Sequence, residues 1–578
     1  MADRHVLALF SVGPVQSFIA SARRTEDLWS GSYLLSFLVE EAIAELERLA
    51  KAEGADIELI YPIKRSSSLF DQAAAFPNRF LVQLSLAADK IVEICLEVEE
   101  YLRLQFAEIC LFGLKDAFTV TGAGRVFMEE MTFAQARDSL EVFWAIEPVD
   151  AEGYETARQR VESRLGAVKN NRNFSQHRQF GIVCTICGER EALHQAPYHK
   201  HANVGEMRQD LSETWQKLRD KYRGKYEQEE SSAGNVSAGR IKTNEHLCGV
   251  CLGKRTARDF LAAKGRHIRP FRSTVDIASP GEHYAVAVFD GDDLGQWLAG
   301  TKGEFSIPAG TKEYHRLISN RLSIFSGQAV PRVIDEAFGE LVYAGGDDVL
   351  AFLPADTAFQ AINGLREAFS SSDMGLHPEA TASAGMTIVH KTFPLSLALE
   401  HARRMERLAK VYTHPLTKRS KDAIGVAVCI RGGARREFVI PWMVNGELFQ
   451  AQNPENAIEL MEQLGEFLSN YLSPNFLYRF GQAFLPLTSF VKGEKGGFRL
   501  LDDPAENNRL LVTEMTRLLE RSLLTSARPN SSKALEIPNL AQRLIAVHDI
   551  MPSGLQFVHW LESVNLLDPA KYGEVSAQ

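Results

Sequence analysis

The sequence predicts a mixed α/β protein: two strand-first α/β units, a cysteine-bearing helical module between them, and a helical C-terminal region. Three observations carry this. Short apolar runs at His5–Val12 and His283–Phe289 each open a stretch where strand and helix periodicities alternate. Two Cys-x-x-Cys pairs lie between those stretches. After about residue 440 the apolar residues recur at i, i+3, i+4 and i+7.

The elements follow in order. Gly13-Pro14 breaks the first apolar run, and helical spacing then spans Val15 to Leu28 and Tyr33 to Leu49. Phe76, Phe80, Val82 and Leu84 give a strand pattern between 75 and 86, and Ile91 to Cys110 reads as a helix. Val161 to Arg178 is polar and basic (Arg164, Lys169, Arg172, Arg178) and reads as a link. Gly205 to Glu230 is a charged helical stretch, and Gln228 to Arg240 reads as a flexible loop. The second unit predicts strands at His283–Phe289, Leu341–Ala344, Val349–Leu353, Thr381–Val389 and Ala423–Ile430, with a helix over Leu395–Lys410. Ala457–Leu472, Asn508–Leu524 and Leu555–Leu567 are helical. The expected boundaries are 1–160, 161–280, 281–440 and 441–578. Sequence similarity between the two α/β units is too weak to establish a duplication.

Composition narrows the function. Lys and Arg number 64 against 74 Asp and Glu, a net charge of −10. A surface that wraps bare nucleic acid wholesale is excluded, while local basic patches are not. No run of 18 apolar residues occurs, and the N-terminus lacks a secretory order of regions, so a cytoplasmic chain is expected. Seven cysteines are too few for a disulfide scaffold. Cys95, Cys110 and Cys429 lie in apolar runs and read as core.

The chemistry concentrates in the second unit. The strand ending at Phe289 runs into Asp290-Gly291-Asp292-Asp293, and Leu341–Ala344 runs into Gly345-Gly346-Asp347-Asp348. Gly345 and Gly346 supply the positive-φ positions of a tight hairpin and let backbone approach a phosphate. If the strand ends are neighbours, Asp290, Asp347 and Asp348 converge. Crowded carboxylates call for a cation, and hard oxygen donors beside phosphate suit Mg²⁺ or Mn²⁺. Alone, Gly-Gly-Asp-Asp reads as well as a polar hairpin turn; the second acidic strand end favours the metal reading. Arg403, Arg404, Arg407, Lys410, Lys418, Arg419 and Lys421 follow on or near the 395–410 helix. Most of these suit a solvated surface, with Lys410 the preferred phosphate ligand.

Cys184, Cys187, Cys248 and Cys251 form two pairs at the spacing of a structural, tetrahedral Zn²⁺ site. The alternative is four reduced structural cysteines. Lys254, Arg255, Arg258, Lys264, Arg266, Arg269 and Arg272 then stand against one local acid, Asp259. This stripe reads as a face for RNA phosphate, for an acidic partner, or for solvent.

At this point the sequence resembles the large polymerase/cyclase subunit of type III-B (Cmr-type) CRISPR RNA-guided effector complexes. The matching segments run from Ser11-Val12-Gly13-Pro14-Val15-Gln16-Ser17-Phe18-Ile19 and Asp27-Leu28-Trp29-Ser30-Gly31-Ser32-Tyr33-Leu34-Leu35 to Pro77-Asn78-Arg79-Phe80. They continue through Cys184-Thr185-Ile186-Cys187-Gly188-Glu189, Asp290-Gly291-Asp292-Asp293-Leu294-Gly295, Gly345-Gly346-Asp347-Asp348 and Ser383-Ala384-Gly385-Met386-Thr387-Ile388. The resemblance implies two ferredoxin-like palm domains of the nucleotidyl-cyclase kind, a zinc-binding helical module between them and a helical C-terminal domain. It implies conversion of ATP to cyclic oligoadenylate when target RNA pairs with the guide. Asp290, Asp347 and Asp348 would be catalytic and hold the metals, with the Gly291 carbonyl as an extra ligand. Gly291, Asp292, Asp293, Gly345, Gly346, Ser383 and Lys410 would contact ATP. Implied partners are the other complex subunits, including the adjacent ferredoxin-like and small helical ones, the CRISPR guide RNA and the target RNA. A His-Asp nuclease domain is not expected in this chain, because its only His-Asp pair is His548-Asp549 on a C-terminal helix. Two other readings stay open: a nucleotide-binding scaffold without turnover, and synthesis of a linear or mixed adenylate conjugate.

Overall fold

The computed structural model describes residues 5–63, 76–117, 122–171, 181–216, 241, 244–278, 281–429, 435–444, 455–473, 476–488, 504–524 and 536–564. The first sheet contains β1 (His5–Gly13), β2 (Ile57–Tyr61), β3 (Arg79–Ser85) and β4 (Glu141–Pro148) in the order β2-β3-β1-β4. All neighbouring pairs are antiparallel, the ferredoxin-like arrangement. Strand alternation sorts β1: Val6, Ala8, Phe10 and Val12 enter the large core, while Leu7 and Leu9 enter a small core on the other face. That small core is closed by Ala157, Val161 and Leu165 of the Tyr154–Asn170 helix. Of the stretch expected to be a link, Arg172 and Arg178 lie outside the described residues; residues 161–170 are thus the end of a helix belonging to the first sheet, and the expected boundary at 160 falls inside that helix. Its apolar stripe is one residue wide, at i, i+4 and i+8, too thin to register against its charged faces.

The break between the two expected helices moves toward the start of the chain. A short helix, Gln16–Ala20, is followed by one continuous helix over Thr25–Ala52. Asp27 sets that start, because its Oδ2 accepts from the backbone N–H groups of Arg23 and Arg24 at 3.2 and 3.3 Å.

The second sheet holds β5 (His283–Gly291), β6 (Glu340–Gly345), β7 (Asp348–Pro354), β8 (Ala382–His390), β9 (Ala423–Cys429) and β10 (Arg435–Pro441). Its order is β10-β9-β8-β5-β7-β6. The segment β8-β5-β7-β6 repeats the order β4-β1-β3-β2, so the two units share a topology that their sequences do not reveal. β9 extends it parallel to β8. The Leu395–Val411 helix lies on β8 and β9 at very short range. A Cβ on Gly385 would stand 2.1 Å from the Ala402 carbonyl oxygen, and one on Gly425 2.3 Å from that of Met405. Only glycine permits this approach.

The faces of β5 define the molecule. Tyr284, Val286 and Val288 share a core with the first sheet's helices, Leu395, Ala398, Leu399 and Ala402. Ala285, Ala287 and Phe289 share the opposite core with the Lys312–Ile324 and Ala358–Phe369 helices and the C-terminal helices Ala457–Tyr471, Phe476–Thr488, Ile537–Ile550 and Gly554–Ser563. Ser32 of the long N-terminal helix donates to the Val342 carbonyl at 2.6 Å, tying the first unit to β6.

The start of the basic stripe after the cysteines turns inward. Arg255 makes a two-point contact with Asp27 (2.6 and 2.9 Å) and reaches Glu245 at 3.1 Å, all buried. Lys254 donates to the Phe18 and Ser21 carbonyls. Arg258 faces Glu26, Lys264 faces Glu108, Arg266 faces Glu40, and Arg269 and Arg272 share Glu340. Lys254 and Arg255 are therefore a buried seam between the module and the N-terminal helices, Arg258, Arg266 and Arg272 are half-buried ion pairs, and Lys264 and Arg269 keep the exposed position of the solvent reading. Apart from Glu245 the stripe's acids come from distant segments, so local charge counting missed them. His548 sits 3.0 Å from Asp549, which also accepts from Asn508, and packs edge-on against Phe557; this pair belongs to helix packing. The expected loop Gln228–Arg240 lies outside the described residues. Among those residues, no helix is long and apolar enough to cross a membrane.

Candidate nucleotidyl-transfer site and thiolate cluster

Register brings the acidic strand ends together. Phe289 pairs with Val349 and Gly345 with Asp348, so Asp290 at the end of β5 lies beside Asp348 at the start of β7. Alternation puts both on the face of Val286, Val288 and Leu350, toward the Leu395–Val411 helix. The turn is Gly346-Asp347. Gly346 has φ +78°, while Gly345, expected to share that role, is paired backbone within β6. A Cβ on Gly291 would lie 3.1 Å from Asp347 Oδ2, so the carboxylate reaches over the β5 backbone.

Electrostatics mark the crowding. The Asp347 carboxyl is raised to about 8 and that of Asp348 to about 7, by burial under the surrounding chain and by the charge of Asp290. The Asp348 side chain opens to solvent, so repulsion from the Asp290 charge is what raises it there. Tyr343 is likewise raised by burial and by the three carboxylates. Lys410, at the last turn of its helix, forms an ion pair with Asp290 and another with Glu406 at 3.2 Å. Burial opposes its charge, yet the Asp290 contact holds its ammonium above the ordinary range. Arg404 pairs with Glu437, while Arg407, Lys418 and Arg419 are exposed.

Two expected nucleotide contacts are corrected. Asp292 and Ser383 are buried beneath the site: Ser383 Oγ donates to Asp292 Oδ1 at 2.8 Å, and the Asp422 N–H donates to Asp292 Oδ2 at 3.0 Å. They brace β5 against β8 and the approach to β9 rather than face solvent. Asp293 is partly exposed and accepts from two lysines, Lys302 and Lys421. Lys302 had no sequence signal, because it stands alone in a polar loop.

Among the described residues, one group of three or more metal-ligating side chains converges within 4.8 Å: Cys184, Cys187, Cys248 and Cys251. Cys187 Sγ and Cys248 Sγ are 3.9 Å apart, the edge of a small tetrahedron around one ion. The N–H groups of Ile186 and Cys251 each lie 3.4 Å from a cysteine sulfur, as in metal knuckles. The donor set fits a soft or borderline divalent ion. The three aspartates are more open than this, with Asp290 neutralised by Lys410; as hard oxygen donors on adjacent strand ends they fit a Mg²⁺-type ion.

Two ferredoxin-like sheets, one of them acidic at its strand ends, define a palm-domain protein. The family model for the Cas10/Cmr2 second palm domain matches residues 283–424, and that for the N-terminal domain of the CRISPR-associated protein Cmr2 matches residues 7–111. Over these two stretches the chain is similar to Cmr2. The CRISPR system Cmr subunit Cmr2 of Pyrococcus furiosus is 26% identical over 593 aligned residues, covering 79% of this chain. The chain spans 65% of that relative's length. A chain of the type III-B Cmr-beta complex in its apo state superposes with a TM-score of 0.67 at 13% identity, over 97% of this chain and 81% of that one. The same type of complex bound to cognate target RNA gives 0.62 at 13% identity, over 97% and 83%.

Proposed function

We propose that this chain is the nucleotidyl-transfer subunit of a type III-B RNA-guided effector complex, converting ATP to cyclic oligoadenylate when target RNA is bound. The observation that carries the reading is the meeting of Asp290, Asp347 and Asp348 at adjacent strand ends of a palm sheet. The resemblance of the chain to Cmr2 supports the same assignment, with the other Cmr-type subunits, guide RNA and target RNA as partners. In this reading the three carboxylates hold Mg²⁺ or Mn²⁺. Bound there, such ions supply charge neutralisation at the α-phosphate and a more acidic attacking 3′-hydroxyl. The chain's own residues do the rest. Gly291 and Gly346 keep side-chain bulk away from the phosphates. Lys410 balances Asp290 until substrate arrives and then adds positive charge beside the triphosphate. Asp292 and Ser383 hold the strand ends in register from below. The cysteine set holds one Zn²⁺ that is structural, because four thiolates leave no open position.

The test is ATP conversion by complexes matched for subunit content, with target RNA present and products identified by mass. Asp347→Ala with Asp348→Ala is expected to lower conversion by more than about a hundredfold while assembly is retained. Full conversion by that variant would end this reading and leave a nucleotide-binding scaffold.

A further inference from the structure

One corner of the second sheet holds an arrangement that the carboxylate chemistry does not use. Asp293 follows the acidic end of β5, and its carboxylate accepts from both Lys302 and Lys421. Three separate segments meet here: the β5 terminus, the loop that precedes the Lys312–Ile324 helix, and the approach to β9. Because β9 runs parallel to β8 and β8 antiparallel to β5, residues just before Ala423 lie at the same end of the sheet as Asp290. Two strand spacings, about 10 Å, separate them. That span suits an extended polyphosphate.

The backbone adds an independent sign. Five described residues other than glycine have positive φ, and three of them lie here: Asp293 (57°), Lys421 (68°) and Asp422 (51°). Non-glycine residues in the left-handed region are held at a cost, and such strain collects at ligand sites. Here the strain aims Lys421 at Asp293, while the neighbouring Asp422 N–H is pinned by buried Asp292. Two ammonium groups for one carboxylate leave a net positive charge, and all three side chains are partly open to solvent.

We infer that Lys302 and Lys421 bind the polyphosphate tail of a nucleoside triphosphate, and that Asp293 occupies their donors in its absence, as an internal substitute for phosphate. This rests on the nucleotidyl-transfer reading of the neighbouring carboxylates. A tail phosphate carries more charge and more acceptor oxygens than Asp293, so it takes over the lysines without a change of fold. Asp293 therefore acts as a competitor, and its removal has the opposite sign to removal of a lysine.

The experiment measures calorimetric binding of inorganic tripolyphosphate, without divalent cations, to the full chain and to variants checked for native melting. Lys302→Ala and Lys421→Ala are each expected to weaken binding by about tenfold, and Lys421→Arg to restore most of it. Asp293→Asn is expected to tighten binding severalfold. Unchanged binding in both lysine variants, no binding by the native chain, or weakening in a natively folded Asp293→Asn would overturn the inference. ATP conversion by the assembled complex is read separately. Its absence beside the expected binding pattern would remove the cyclase reading and leave the polyphosphate site standing.

Discussion

Asp347 makes the site sensitive to protons. Its carboxyl is raised to about 8 and that of Asp348 to about 7, against an ordinary aspartate near 4. Between those limits the metal-free native chain holds protons that the unfolded chain has released. Native stability therefore falls as pH rises from about 4 to 8. Asp347→Asn is expected to flatten that slope, and saturating Mg²⁺ to abolish it, since the ion replaces the protons. Melting curves at pH 5 and pH 8, with and without Mg²⁺, check this; an equally steep slope in Asp347→Asn would contradict it. The aspartates themselves were legible, because acidic residues directly after buried strands are conspicuous. Their counter-ions were not. The ion pair of Lys410 with Asp290 and the place of Lys302 gave no signal, because pairing across the fold depends on tertiary contacts.

At the scale of elements, legibility followed burial. β1, β5, β7, β8 and β9 are covered on both faces and read as apolar runs. β2, β4 and β10 are edge strands with half-buried patterns, and none was anticipated. The Leu395–Val411 helix was recognisable, but its depth on the sheet was not, since that depends on Gly385 and Gly425 lying directly beneath it. Gly385→Val is expected to force the helix off β8, costing more than about 2 kcal/mol and withdrawing Lys410 from Asp290. Thermal melting and the loss of ATP conversion would report it together. The thiolate cluster is a second such element. Metal analysis is expected to find about one Zn²⁺ per chain, and Cys248→Ser to lower the melting temperature. A metal-free chain with native melting would exclude a zinc role.

The whole molecule is organised by a seam. Asp27 from the long N-terminal helix, Glu245 from the cysteine module and Arg255 meet out of contact with solvent. Arg255→Met would leave two buried carboxylates without their direct hydrogen-bonded cation, with Arg24 the remaining charge near both, at a cost of about 3 kcal/mol. Denaturant unfolding is expected to show that loss in a single transition involving both sheets, and a loss confined to the module would contradict a continuous seam. The large core carries this further, because β1 residues and β5 residues belong to it together. Consider the chain leaving the ribosome. When residue 280 emerges, the helical face of the first unit is finished but its covering sheet has not been made. At 5–20 residues per second, the roughly 150 residues up to β9 take about 8 to 30 s to appear. During that interval an apolar surface waits in the cell for its own downstream partner. A fragment ending near residue 280 would keep that surface permanently, so soluble halves of this protein call for synthesis side by side.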